Sequence, residues 1–231
     1  MSTSETARAA ILGRIGRALG VGDEDRDSRE KAVKAWRENR AKGRGAPRPE
    51  RAAKPQPQRL AQFVAESTRN GSTVIEIDDL AALPATVADY LRGRNAGGPL
   101  RVAPHPDLEA LDWGGAEIGE WRTGPATQDD AVSVSVAVAA AAETGSLAFV
   151  AGPETPATLH VLPMHHVSVI YASRIDGGYE DAVARARVAN DGMPRILNVI
   201  TGPSRTADIE QTLLMGAHGP QAEVVVVVKD R

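Results

Sequence analysis

Apolar positions along this 231-residue chain change their period several times, and each change marks a different element. Over residues 6–19, Ile11, Leu12, Ile15 and Leu19 fall on one stripe with arginines elsewhere, the spacing of a short amphipathic helix that needs a surface to dock on. Residues 23–42 are densely charged around an isolated Val33 and Trp36, and residues 43–57 are rich in Gly, Pro, Arg and Lys, as in a linker or flexible arm. A boundary near Arg59 follows: an N-terminal helix and basic arm over residues 1–59, then an α/β domain over residues 60–231. In that domain helical spacing over 60–68, 80–91, 106–111, 180–189 and 206–215 alternates with strand-like runs over 73–77, 100–103, 116–121, 132–138, 146–151, 167–171, 195–200 and 224–228. This alternation predicts an α/β fold, a mostly parallel open sheet with helices on both faces. The unbroken valine run over 224–228 is the pattern of a strand buried on both sides. The valine alternation over 132–138, leading into 146–151, also fits a local antiparallel excursion. No internal repeat is evident.

Composition narrows the function. Apolar residues make up 42% of the chain but aromatic ones only 3%, so the core must be built from Val, Ile, Leu and Ala, which argues against a base-stacking surface for nucleic acid. There is no cysteine, so the chain forms no disulfide, carries no thiolate nucleophile and lacks the usual ligands of an iron–sulfur cluster. Glu5, Arg8, Arg14 and Arg17 interrupt any apolar leader, and no stretch reaches membrane-spanning length, so a soluble cytoplasmic protein is expected. Charge is uneven: residues 1–59 hold 15 Lys/Arg against 8 Asp/Glu, a formal +7, whereas residues 60–231 hold 12 against 22, a formal −10. A basic arm on an acidic body can be solvated, fold back on its own domain, or steer a charged partner.

Two turns carry candidate chemistry. The run Thr201-Gly202-Pro203-Ser204-Arg205-Thr206 joins a strand to a predicted helix, where unpaired N–H groups and a positive dipole end suit an anion. Ser204 and Thr206 are N-cap residues by type, and Arg205 offers a planar fork for a carboxylate or phosphate. The plainer alternative is a capped helix in which Asp208 and Glu210 complement the dipole. The second turn, Glu143-Thr144-Gly145-Ser146, puts a carboxylate and two hydroxyls beside a glycine that lets backbone approach a ligand; a turn bonded only to itself is its alternative. Five histidines, His105, His160, His165, His166 and His218, lack the spacing of a metal template, and no metal site is expected. His166 opens a strand and reads as structural, and His218 reads as a helix-end contact. No G-x-G-x-x-G or G-x-x-x-x-G-K-[ST] motif is present.

Three stretches together resemble a known family. The run 201–210, continuing through Leu213-Leu214-Met215-Gly216-Ala217-His218-Gly219-Pro220, is joined by Ala142-Glu143-Thr144-Gly145-Ser146-Leu147 and by Leu162-Pro163 leading into His166-Val167-Ser168-Val169-Ile170. In order and spacing they resemble the signature of the lactate utilization protein C family (LutC), whose module is the LUD domain, over roughly the last 170 residues. The resemblance implies a NagB/RpiA/CoA-transferase-like fold and a role in bacterial oxidation of L-lactate to pyruvate beside iron–sulfur partner proteins that hold the clusters, with no cofactor on this chain. In a fold similar to CoA transferases a glutamate can act as nucleophile, which makes Glu143 the catalytic candidate. Thr144, Gly145, Ser146, Gly202, Ser204, Arg205 and Thr206 are then the candidate substrate-binding set. Oxidising a 2-hydroxy acid needs a base, a cation for the carboxylate and an electron acceptor. Arg205 and Glu143 supply the first two by type; the acceptor is missing, which favours an accessory or substrate-handling subunit. Alternatives are a stand-alone transferase or isomerase on a sugar phosphate or CoA ester, and a regulatory module sensing a small carboxylate; no membrane partner is expected, and a homo-oligomer is a further option.

Overall fold

Where the charged amino-terminal run was read as an arm, regular helix forms instead. The computed structural model describes residues 3–20, 26–42, 48–206 and 214–229, and divides the chain into two compact units, Met1–Arg48 and Pro49–Arg231. In the first unit, α1 (Thr3–Ala18) matches the expected helix, and α2 (Arg26–Lys42) forms from the run read only as charged. Its Arg, Lys, Glu and Ala residues are strong helix formers, and Arg26 pairs with Glu30 one turn on at 3.3 Å.

The second unit starts at Pro49, ten residues before the boundary expected near Arg59. Ala52 is fully buried, and Gln62 Nε2 donates to the Arg51 carbonyl at 3.0 Å, so the 3₁₀ turn Glu50–Ala53 is sewn to the domain. It leads into α3 (Gln56–Arg69), which buries Phe63. The strands are β1 (Thr73–Ile77), β2 (Leu100–Val102), β3 (Trp121–Thr123), β4 (Val132–Val136), β5 (Ala139–Ala141), β6 (Ser146–Val150), β7 (His165–Tyr171), β8 (Ile175–Asp176), β9 (Leu197–Ile200), β10 (Arg205–Thr206), β11 (Leu214–Met215) and β12 (Ala222–Val228). Between them lie α4 (Leu83–Arg94), α5 (Pro106–Glu109) and α6 (Tyr179–Ala189). The strand expected over 116–121 is displaced to β3, because Glu117 and Gly119 take positive φ and break the extended backbone.

Six strands form one all-parallel sheet in the order β1-β12-β7-β4-β2-β3. β12 lies inside it between β1 and β7, which explains its uninterrupted valines: both faces are covered. One face packs Val132, Val134, Val167, Val224 and Val226 against Leu83, Val87 and Leu91 of α4, with Leu108 and Trp113. The other face is shared between α3 and a second sheet, ordered β8-β5-β6-β9; Leu147, Phe149 and Ile175 meet Ile170, Val225, Val227 and Phe63 there. The antiparallel excursion is therefore real but begins at β5, since β4 stays in the parallel sheet and β5 turns back through β6. The segment expected over 195–200 also joins the second sheet, antiparallel to β6. Ala139, Ala141 and Ala148 give that sheet a flat outer face on which Ala182 of α6 packs. Among the described residues no helix is long and apolar enough to cross a membrane.

Candidate functional site

The two turns singled out by sequence converge on the end of α3. Gly145 has φ +64°, and a Cβ there would lie 2.4 Å from the Ser67 nitrogen; Gly202 has φ +74°, and a Cβ there would lie 2.5 Å from the Asn70 carbonyl oxygen. Both glycines are thus required by backbone conformation and by close approach. Asn70 Nδ2 donates to the Thr144 carbonyl at 2.8 Å, and its own carbonyl accepts from Arg205 at 2.6 Å. The Thr144 and Ser146 hydroxyls are 2.8 Å apart, and Ser146 Oγ is 2.6 Å from Thr201 Oγ1, a hydroxyl chain joining the two motifs. Of the helix expected over 206–215, only the two ends fall among the described residues, and both are extended. Arg205 and Thr206 are extended and pair antiparallel with Met215 and Leu214, while residues 207–213, including Asp208 and Glu210, lie outside the described residues. Contacts from outside the segment set this geometry: Ser204 N donates to the Pro220 carbonyl, and Arg205 is drawn to Asn70. His218 N lies 3.4 Å from Ser204 Oγ, closing this loop and not a helix end.

Glu143 is buried with its carboxylate engaged twice. Oε2 lies 3.2 Å from Arg51 Nε, and Oε1 accepts from the backbone N–H of Tyr179, the first residue of α6, at 2.9 Å. The carboxylate therefore ties the Glu50–Ala53 turn to a helix N-terminus, a placement favourable to negative charge.

A second polar group lies between the sheets. Ser135 Oγ is 2.8 Å from His166 Nε2, His166 Nδ1 is 3.0 Å from Glu223 Oε2, and Ser168 Oγ donates to Glu223 Oε1. The connectivity matches a hydrolase triad, but Ser135 and His166 are 0% exposed and Glu223 2%, so the cluster braces β4, β7 and β12 and meets no substrate. His160 packs tilted against both Phe149 and His166, which also touch each other, with Nδ1 2.8 Å from Asn198 Nδ2; burial, then the neighbouring His166, drives its pKa down to about 3. His165 turns to the opposite face and meets Tyr90 Oη at 3.1 Å. Among the described residues no three His, Asp or Glu side chains are grouped to hold a metal.

The third arrangement is a cleft fixed by topology. β2 passes the chain outward to β3, whereas β4 passes it inward to β7, so the neighbours β2 and β4 form the switch point of the sheet. Ligands in open α/β sheets bind outside the carboxyl ends of such strands. A cleft of about 370 Å³ lies there, lined by His105 after β2, Ala137 and Val138 after β4, Arg174 after β7, and Glu154 with Ala151 after β6. The Arg174 guanidinium sits 4.6 Å from the Tyr171 ring centroid and makes no ion pair among the described residues. Tyr171 Oη donates to Asp107 Oδ2 at 2.6 Å, and the Asp107 N–H donates to His105 Nδ1 at 3.2 Å. Arg174, Tyr171, Asp107 and His105 thus form one linked wall. The Thr144–Ser146 turn lies at the other end of β6, about 14 Å away at strand rise.

The sequence profile of the LUD domain matches residues 60–228. The chain belongs to the LUD domain family. Among similar proteins, "Lactate utilization protein C" of Geobacillus kaustophilus is 29% identical over 213 residues, covering 81% of this chain and 89% of that protein. The protein of the same name in Bacillus subtilis is 26% identical over 209 residues, covering 79% and 87%. An uncharacterized protein of Neisseria meningitidis is 38% identical over 112 residues, a match spanning 48% of each chain. Among solved structures, a DUF162 family protein from Deinococcus radiodurans superposes with TM-score 0.55 at 20% identity, covering 76% of this chain and 99% of that one, which supports the fold.

In this LUD domain the sequence motifs mark where turns grip α3, whereas the cleft residues belong to no motif. His105 appeared only as one histidine of five, and Arg174 not at all. The available signal was positional, since each follows the carboxyl end of a parallel strand by three residues, His105 after Val102 and Arg174 after Tyr171.

Proposed function

We propose that this LUD domain protein takes part in the two-electron oxidation of L-lactate to pyruvate as a substrate-handling subunit, with iron–sulfur partner proteins carrying the electrons. The carrying observation is its similarity, along 79% and 81% of its length, to two proteins named lactate utilization protein C. The division of labour follows from composition: with no cysteine, the chain supplies no thiolate for a cluster. If iron–sulfur clusters take the two electrons from lactate, those clusters sit on another chain and the two protons pass to bases or solvent, while this chain contributes cations and hydrogen-bonding groups for the acid.

The test is L-lactate-dependent dye reduction by the purified chain alone, by candidate iron–sulfur partner proteins alone, and by the mixture. Turnover confined to the mixture supports the subunit role. Turnover by this chain alone removes the accessory assignment, and turnover in no sample removes the lactate reading.

A further inference from the structure

We infer that the switch-point cleft binds a short 2-hydroxy or 2-oxo monocarboxylate, with Arg174 holding the carboxylate and His105 the adjacent oxygen. The lactate reading supplies only the ligand's identity; the site itself stands on topology and side-chain chemistry.

Arg174 is half-buried, its guanidinium is laid over Tyr171, and its N–H donors are not consumed by an acid among the described residues. A planar fork fixed in this way matches a carboxylate's two oxygens. His105 Nδ1 accepts the Asp107 N–H, so the neutral ring carries its proton on Nε2, and its side chain is 20% exposed. That N–H suits an oxygen on the carbon next to the carboxylate. Val136, Ala137, Val138 and Ala151 give the cleft a small apolar wall that fits a methyl-sized substituent, with Thr155 and Asn190 as its further polar lining. Glu154 lines the same cleft, exposed, without pairing with Arg174. One cation opposed by the carboxylates of Glu154 and, behind His105 and Tyr171, Asp107 favours a singly charged acid over a phosphate, whose second charge they would repel.

Calorimetric titration of the full chain with L-lactate, pyruvate, acetate, uncharged lactamide and inorganic phosphate tests this. Wild type is expected to bind lactate or pyruvate, and to bind lactamide and phosphate at least tenfold more weakly. Arg174→Ala should raise the Kd for lactate and pyruvate at least tenfold. His105→Ala should weaken both while leaving acetate, which has no oxygen on the carbon next to its carboxylate, unchanged. Glu154→Gln, an exposed change that leaves folding untouched, should tighten binding severalfold, and it carries the test if Arg174→Ala does not fold. Unaltered pyruvate affinity in Arg174→Ala and Glu154→Gln overturns the assignment, as does loss of binding in Arg205→Ala alone, which would move the site to the 201–206 turn. Binding without turnover in the reconstituted system keeps the cleft and removes the reaction; turnover with unaltered binding and rate in Arg174→Ala does the reverse.

Discussion

At the scale of single residues, Gly145 and Gly202 show how little freedom the family motifs leave. Each combines positive φ with backbone of α3 at the place a Cβ would occupy. Gly145→Ala adds left-handed strain to a collision with the Ser67 nitrogen, which the backbone can relieve only by moving. The expected loss is roughly 2–4 kcal/mol of unfolding free energy, read by urea titration. His160 makes a different prediction. Its pKa is about 3 in the folded protein against an ordinary 6.5, because burial and His166 disfavour the charged ring. The unfolded state therefore binds the extra proton first as pH falls. The contribution of His160 is complete above about pH 6.5 and declines by about 1.4 kcal/mol per pH unit on the way down toward pH 3. Asp130 acts lower on the scale: burial raises its pKa, but the Thr127 N–H and Arg101 outweigh that and leave it lowered, so its contribution is lost only below the ordinary carboxylate range. His160→Gln should flatten the stability profile between pH 6 and pH 4, and an unchanged slope there would remove His160 as its source.

At the scale of elements, the valine alternation of β4 reports a buried polar face and not a solvent face. Val132, Val134 and Val136 enter the helix-covered core, while Ser133 and Ser135 face the second sheet, where Ser133 Oγ donates to the Leu159 carbonyl at 2.6 Å. Glu223 is the hub of that layer. Glu223→Ala leaves His166 and Ser168 buried without their acceptor and should cost about 3 kcal/mol or more in denaturant unfolding, whereas Ser135→Ala, which removes only one partner, should cost about 1 kcal/mol. The Glu143 joint is tested as a pair. If its carboxylate fixes the Arg51 turn onto α6, then Arg51→Ala and Glu143→Gln should show a coupling of about 1 kcal/mol in a double-mutant cycle. Additive effects, with reconstituted turnover lost in Glu143→Gln at normal stability, would instead return Glu143 to the chemistry.

For the whole molecule, the start of the folded unit matters more than the change in composition. A chain beginning at residue 49 keeps Ala52, Arg51 and their contacts, and should melt within about 2 °C of full length. A chain beginning at residue 60 exposes what Ala52 covered and strips Glu143 of its cation, and should melt lower by about 4–8 °C or more. Equal melting of the two fragments would show that the Glu50–Ala53 turn contributes nothing. The formal +7 of residues 1–59 against −10 beyond them is a property of the complete chain, and one of its cations, Arg51, is built into the fold of residues 49–231 through Glu143.

The sequence by itself determined most of the elements of the α/β domain, their order and the family. Period and β-branched content are local properties, so strands such as Thr73–Ile77 and Ala222–Val228 and helices such as Tyr179–Ala189 stood where expected. Local pattern carries no information on which strands become neighbours. That Leu197–Ile200 leaves the parallel sheet, and that Arg205 extends toward Asn70, depends on partners far away in sequence. The same limit hid the cleft. His105 and Arg174 meet only because the chain runs outward from β2 and inward from β4, and long-range pairing, which no local period records, is what brings them together.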